Sequence, residues 1–226
     1  MMKSAHEKTY DLIEAVDLAF LYRSGASGNI IVSGNTPNVV DLITSRLAAK
    51  NHLAHLEITE ETDLFGYVEA NGTEIPSKML DLYKNGGVCL IDTRCIKDPE
   101  IMKKLKEMLR HNGQKHYPFL GKKEKPDLNF MLIAYSPDAD KTFDSTTLYS
   151  TPILNIDPEI TPAMVLEVQE NPIKYCPYVD ALFKDLDIDL AEGEKNQLLK
   201  QYVPQMVTAD IPKSQEELDT ERNTAR

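Results

Sequence analysis

The sequence predicts an α/β domain built on a mainly parallel sheet with helices on both faces. Short apolar runs alternate with amphipathic, helix-spaced segments from residue 5 to residue 156. The runs at 88–91 and 130–135 are almost wholly apolar, as strands covered on both faces must be. Each run is separated from the next by enough chain for a crossover helix, and crossovers within one sheet make its strands parallel.

The elements follow in order. Tyr10, Leu12, Ile13, Val16, Ala19 and Phe20 recur at helical spacing, so residues 5–23 form a helix that stops before Gly25. Asn29–Ser33 is a short buried strand. Thr36 is placed to cap the next helix and Pro37 to open it, because the N–H that proline lacks is one a first helical position does not use. That helix buries Val39, Val40, Ile43 and Leu47. A second strand covers 52–58, with a polar loop after it. A helix at 77–84 is stopped by Asn85-Gly86-Gly87. Val88–Ile91 is the third strand, and Pro99–His111 a basic amphipathic helix. "QKHYPFLGKKEK" (114–125) reads as a hairpin turning at Gly121. Phe130–Tyr135 and Pro152–Ile156 are the fourth and fifth strands. From Thr161 the pattern is helical and acidic, with prolines at 162, 172, 177, 204 and 212. The expected organisation is a core over 1–160, a short helical, lid-like region over 161–212, and a polar tail over 213–226 with too little apolar content to order itself.

Composition narrows the function classes. The net charge of -11 argues against wrapping nucleic acid, which needs clustered Lys and Arg to release counterions. The charge is uneven: residues 103–125 are basic, and the stretch after Pro177 is acidic through Asp180, Asp185, Asp187, Asp189, Glu192 and Glu194. A solvated surface accounts for both. No apolar run approaches the roughly 20 residues of a membrane span, and the acids within the first apolar pattern argue against a secretory signal. The three cysteines, Cys89, Cys95 and Cys176, offer neither a paired framework nor metal-ligand spacing, so a reducing, cytoplasmic setting is expected. His52 and His55, three apart in a strand, would point to opposite faces, a poor geometry for one metal. His111 and His116 flank a basic turn and read as exposed.

The motif-bearing stretch is "NIIVSGNTPNVVDLI" (29–43). An apolar strand runs into Ser33-Gly34, a polar turn and a helix, as a phosphate-binding P-loop does. Val39, Val40 and Asp41 then stand where that signature has glycine, lysine and serine or threonine. Further on come "ETDLFGYVEANGTEIPSKMLDLYKNGGVCLID" (61–92) and "QKHYPFLGKKEKPDLNFMLIAYSP" (114–137). In this order the landmarks resemble the AAA+ ATPases, and within them the MoxR-type branch, over residues 8–158. The resemblance implies a five-stranded parallel sheet in the order 5-1-4-3-2 between helix layers. It also maps a vestigial nucleotide site onto Gly34, Asn35, Thr36, Asn38, Asp41, Asp92 and Ser136.

Those positions have lost the chemistry that the family uses. A carboxylate at 41 faces the site of the phosphates, and two unit charges about 4 Å apart repel by about 4 kcal/mol at an effective dielectric of 20. Asp92 keeps the metal-holding aspartate of Walker B, or else only caps the next turn. Thr93 replaces the glutamate, and a neutral hydroxyl cannot act as general base towards water. Ser136 stands near the usual sensor asparagine, and "TTLYSTPILNI" (146–156) contains no arginine for a finger. No catalytic residue and no metal site are therefore expected, and neither ATP nor magnesium is an expected cofactor. The expected role is a pseudo-ATPase subunit or adaptor. The resemblance implies as partner a second copy, another AAA+ subunit or a von Willebrand A-type protein, with Lys122, Lys123 and Lys125 of the basic hairpin as the contact. Two alternatives stay open: an ATPase with a relocated lysine, Lys78 or Lys84 or one from a neighbouring subunit, and a nucleic-acid accessory factor using the hairpin lysines.

Overall fold

The computed structural model describes residues 3–21, 29–110, 117–119 and 122–176. The main sheet has strands β1 (Ile30–Ser33), β2 (His55–Ile58), β3 (Gly87–Asp92), β4 (Phe130–Ser136) and β5 (Ile153–Asn155). They pair in parallel in the order β2-β3-β4-β1-β5, with registers such as Ile31 opposite Ala134 and Leu90 opposite Ile133. This is the expected order 5-1-4-3-2, a five-stranded parallel sheet between helix layers.

Helices cover both faces. On one lie α1 (Ala5–Leu21) and α2 (Pro37–Lys50). On the other lie α3 (Thr62–Phe65), α4 (Met79–Asn85) and α5 (Pro99–Arg110). Two short helices, α6 (Ala139–Thr142) and α7 (Ser145–Ser150), link β4 to β5. Alternation along each strand divides the core: Ile30, Val32, Val88, Leu90, Met131 and Ile133 meet α1 and α2, while Ile31, Cys89, Ile91, Leu132 and Ala134 meet α4 and α5. Buried Asn29 ties the layers together. Its Nδ2 donates to the Met108 carbonyl at 3.0 Å, and its Oδ1 accepts the Leu132 amide at 3.1 Å.

Beyond β5, α8 (Pro162–Glu170) and α9 (Pro172–Tyr175) complete the described chain. Thr161 caps α8 through the Met164 amide. Val165 and Val168 are buried, and Val165 joins the core cluster of α1 and α2. Lys8 of α1 bonds Asp157 at 2.7 Å, and His6 stacks on Tyr175 with centroids 4.7 Å apart. The packed unit thus continues past residue 160 through α8. Residues 177–226, with the acidic stretch and the tail, lie outside the described residues, as do His111, His116 and Gly121.

Three local expectations need correction. The second strand begins at His55 and not at His52. His52 has φ 54° and closes α2, with its amide on Ala49 and the Leu53 amide on Ala48, a left-handed helix stop. The loop after β2 carries α3 and a two-stranded hairpin pairing Tyr67–Val68 with Glu74–Ile75. Ser77 Oγ and the Lys78–Asp63 pair (2.6 Å) hold the base of this excursion against α3. Thr36 occupies the cap position of α2, yet its hydroxyl makes no cap bond; with φ −127° and ψ 65°, its Oγ1 is buried without a partner. The second hairpin is present, pairing Tyr117–Phe119 with Lys122–Glu124.

Candidate functional site

In an open parallel sheet, ligands settle outside the carboxyl ends of the strands, where the strand order reverses. Here that place is the end of β1 beside β4, with β5 on the other side of β1. The residues gathered there are Gly34, Asp92, Arg94 and Tyr135.

The turn after β1 is short. Gly34 has φ 149°, and a Cβ there would meet Ile156 Cβ and the Ile156 carbonyl oxygen at 3.1 Å, so only glycine fits. The Gly34 amide donates to the Ser136 carbonyl at 3.2 Å. Asn35 is exposed, and α2 already begins at Pro37. Pro37 and Asn38, which the signature would leave in the phosphate loop, therefore form the first turn of the helix. The Thr36 carbonyl accepts the amides of Val39 at 3.1 Å and Val40 at 3.4 Å. Both valines are core residues, 1% and 2% exposed. The glycine and lysine positions of the signature are thus filled with packed apolar side chains.

Asp92 ends β3 on the face that carries Val88 and Leu90. It caps the turn Thr93–Cys95 through the Arg94 amide at 3.0 Å. Arg94 Nε reaches its two oxygens at 2.9 and 3.0 Å, and Nη2 reaches Oδ2 at 2.5 Å. Partial burial of the Asp92 carboxyl opposes its ionisation, but the hydrogen bonds and charge of Arg94 outweigh this and hold its pKa below the usual carboxylate range. The guanidinium lies over the Tyr135 ring, 5.5 Å from the centroid. The Tyr135 hydroxyl donates to the Gly34 carbonyl at 2.8 Å.

The other mapped positions are engaged elsewhere. Thr93 is buried, and its Oγ1 donates to the Tyr135 carbonyl at 2.9 Å, joining the ends of β3 and β4. Ser136 is fully buried; its Oγ meets Thr142 Oγ1 at 2.7 Å and accepts the Asp138 amide, which fixes α6. Asp41 stands on α2 towards β2. Burial, then the charges of Asp41 and Asp92, push the Glu57 carboxyl above its usual range. Burial lowers the His55 pKa against the pull of Asp41, and Thr44 Oγ1 meets its Nε2 at 3.1 Å. Asp41, Glu57 and Asp92 thus lie within electrostatic reach of one another on the α2 side of the sheet.

Neither lysine weighed as a relocated cation stands on the α2 face. Lys78 pairs with Asp63, and Lys84, at the amino end of β3, pairs with Glu124 of the hairpin at 3.8 Å. Lys125 is exposed, and Lys122 and Lys123 lie on the second hairpin strand. Among the described residues no group of His, Cys, Asp and Glu is arranged to hold a metal ion, and no helix is long and apolar enough to cross a membrane.

Sequence reasoning placed Gly34 and Asp92 at this site and missed Tyr135 and Arg94. Both carry a recoverable signal: in a parallel sheet the last residues of adjacent strands meet, and Arg94 follows a strand-end aspartate by two.

No family model and no curated protein matches the chain. Among solved structures, NtrX of Brucella abortus is 12% identical, matched over 79% of this chain and 41% of its own, with a TM-score of 0.47. A candidate ATPase of Cytophaga hutchinsonii is 14% identical over 73% of this chain and 55% of its own, with a TM-score of 0.46. This chain spans less than two thirds of either protein. The α/β architecture itself stands on the strand order and pairing, not on these partial likenesses.

Proposed function

We propose that this chain is a MoxR-type AAA+ domain that no longer hydrolyses nucleotide and acts as an assembly or adaptor subunit through protein–protein contacts. The observation that carries the reading is Val40: the position belonging to the phosphate-binding lysine is packed in the core, 2% exposed. A lysine there would have to break that packing to reach a phosphate. The remaining positions support the same reading. The Thr93 hydroxyl is committed to a backbone carbonyl, and the carboxylates Asp41 and Glu57 would repel a polyphosphate. What the chain retains is the α/β frame and a basic hairpin, means of contact and not of catalysis. A partner with an acidic surface fits Lys122, Lys123 and Lys125: a second copy, another AAA+ subunit or a von Willebrand A-type protein.

Phosphate release from ATP with magnesium tests the loss of hydrolysis, and none is expected. Cross-linking in the native host followed by reconstitution from purified components tests the adaptor role. A chain that hydrolyses ATP and forms no complex with a purified partner contradicts the reading.

A further inference from the structure

A stack of side chains lies at the end of β1. Moving outward from the turn, the Gly34 carbonyl is followed by the Tyr135 phenol at 2.8 Å, then by the Arg94 guanidinium over the ring. The Asp92 carboxylate anchors that guanidinium through both of its oxygens. Tyr135 is 2% exposed, although it stands at the mouth where the fold places ligands. The Arg94 side chain, 55% exposed, forms the outer end of the stack.

A phosphate loop is ordinarily held by the anion it wraps, through backbone amides that converge on it. Here each feature of such a complex has a counterpart within the chain. The ring fills volume beside the turn, its hydroxyl binds the turn's backbone, and a cation sits against the strand-end aspartate. We propose that Tyr135 and Arg94 form a built-in occupant of this crevice, holding the Gly34–Thr36 turn closed in place of a bound ligand. The turn is then fixed from within by residues of β4 and of the Thr93–Cys95 turn, and it needs no ligand to order it. This goes beyond the loss of hydrolysis, which rests on Val39, Val40 and Asp41 and stands whether or not the stack holds the turn.

Hydrogen exchange of the full chain, read on the segment 33–41, tests the inference. Tyr135→Phe keeps the ring and removes the bond to Gly34; Arg94→Gln removes the guanidinium and with it the bonds to Asp92. Each is expected to speed exchange in 33–41 by about fivefold or more, while the segments of β3 and α5 keep wild-type rates. The double variant is expected to add little to either single change, because both release one latch. Unchanged exchange in 33–41 for both single variants overturns the proposal. Uniform acceleration across the chain overturns it too, because it would make the stack an ordinary part of global stability. Pyrophosphate added to wild type is expected to leave exchange in 33–41 unchanged; slower exchange would mean that the turn still waits for an anion.

Discussion

The Val39 amide donates to the Thr36 carbonyl at 3.1 Å, so a group that a phosphate loop offers to its ligand is spent within the first turn of α2. The side chain of Val39 then packs into the core. Restoring the signature by Val39→Gly with Val40→Lys should therefore not restore a site. It deletes buried methyl groups, places glycine in a helix and buries an ammonium, at a combined cost on the order of 4 kcal/mol. Urea unfolding measures this. Unchanged stability together with new ATP binding would show that the loop can still open.

Glu57 supplies a pH-dependent prediction. Burial and the charges of Asp41 and Asp92 raise its pKa above 4.5 in the folded chain. The folded state then binds more protons than the unfolded one between 4.5 and the raised value. Stability falls as pH rises through that window, and the deficit is complete above it. Glu57→Gln should raise the melting temperature near neutral pH, with the gain fading as the medium is brought below pH 4.5. The residue is exposed overall and its carboxyl only partly desolvated, so the gain stays within about 0.5 kcal/mol. A loss of stability at neutral pH would mean that the carboxylate has a favourable partner there.

His52 holds φ 54° at the end of α2, a conformation that costs an L-residue roughly 1–2 kcal/mol and glycine little. Glycine's greater freedom in the unfolded chain returns part of that, so His52→Gly should stabilise by about 0.5–1 kcal/mol in chemical denaturation. Destabilisation would mean that the imidazole makes a contact worth more than the strain.

How much was legible follows from where each signal resides. β3 and β4 are buried on both faces, so they stand out as apolar runs, and Pro37 marks the start of α2 within a residue. The 67–75 hairpin was not legible, because its strands are two residues long and its base is held by tertiary contacts such as Lys78 to Asp63. His52 read as strand because a left-handed helix stop is usually marked by glycine. At the site, the motif positions were visible, but their present employment was not. Gly34, Arg94 and Tyr135 are far apart in sequence and meet only because β1, β4 and β3 are adjacent in the sheet. Motif comparison asks what replaced a lysine or an asparagine, and it does not ask what came to fill the space.

The basic hairpin yields a prediction about contact. Reversing Lys122, Lys123 and Lys125 to glutamate should leave the melting temperature near wild type, since Lys125 is exposed and the hairpin's core residue, Phe119, is left in place. Association with an acidic partner, or self-association, should slow by tenfold or so, because rim charges set encounter rate more than buried affinity. The wild-type rate should itself fall as salt rises towards physiological strength. Equal association rates for mutant and wild type at low salt would reduce the hairpin to a solvated turn.

The central claim is that the site no longer takes nucleotide, and thermal melting with and without ATP and magnesium tests it most directly. A ligand at 100 times its dissociation constant stabilises the folded state by about 2.7 kcal/mol, a shift of several degrees for a domain of this size. The account predicts no shift and no phosphate release at millimolar ATP. A clear upward shift that disappears in Asp92→Ala would contradict it.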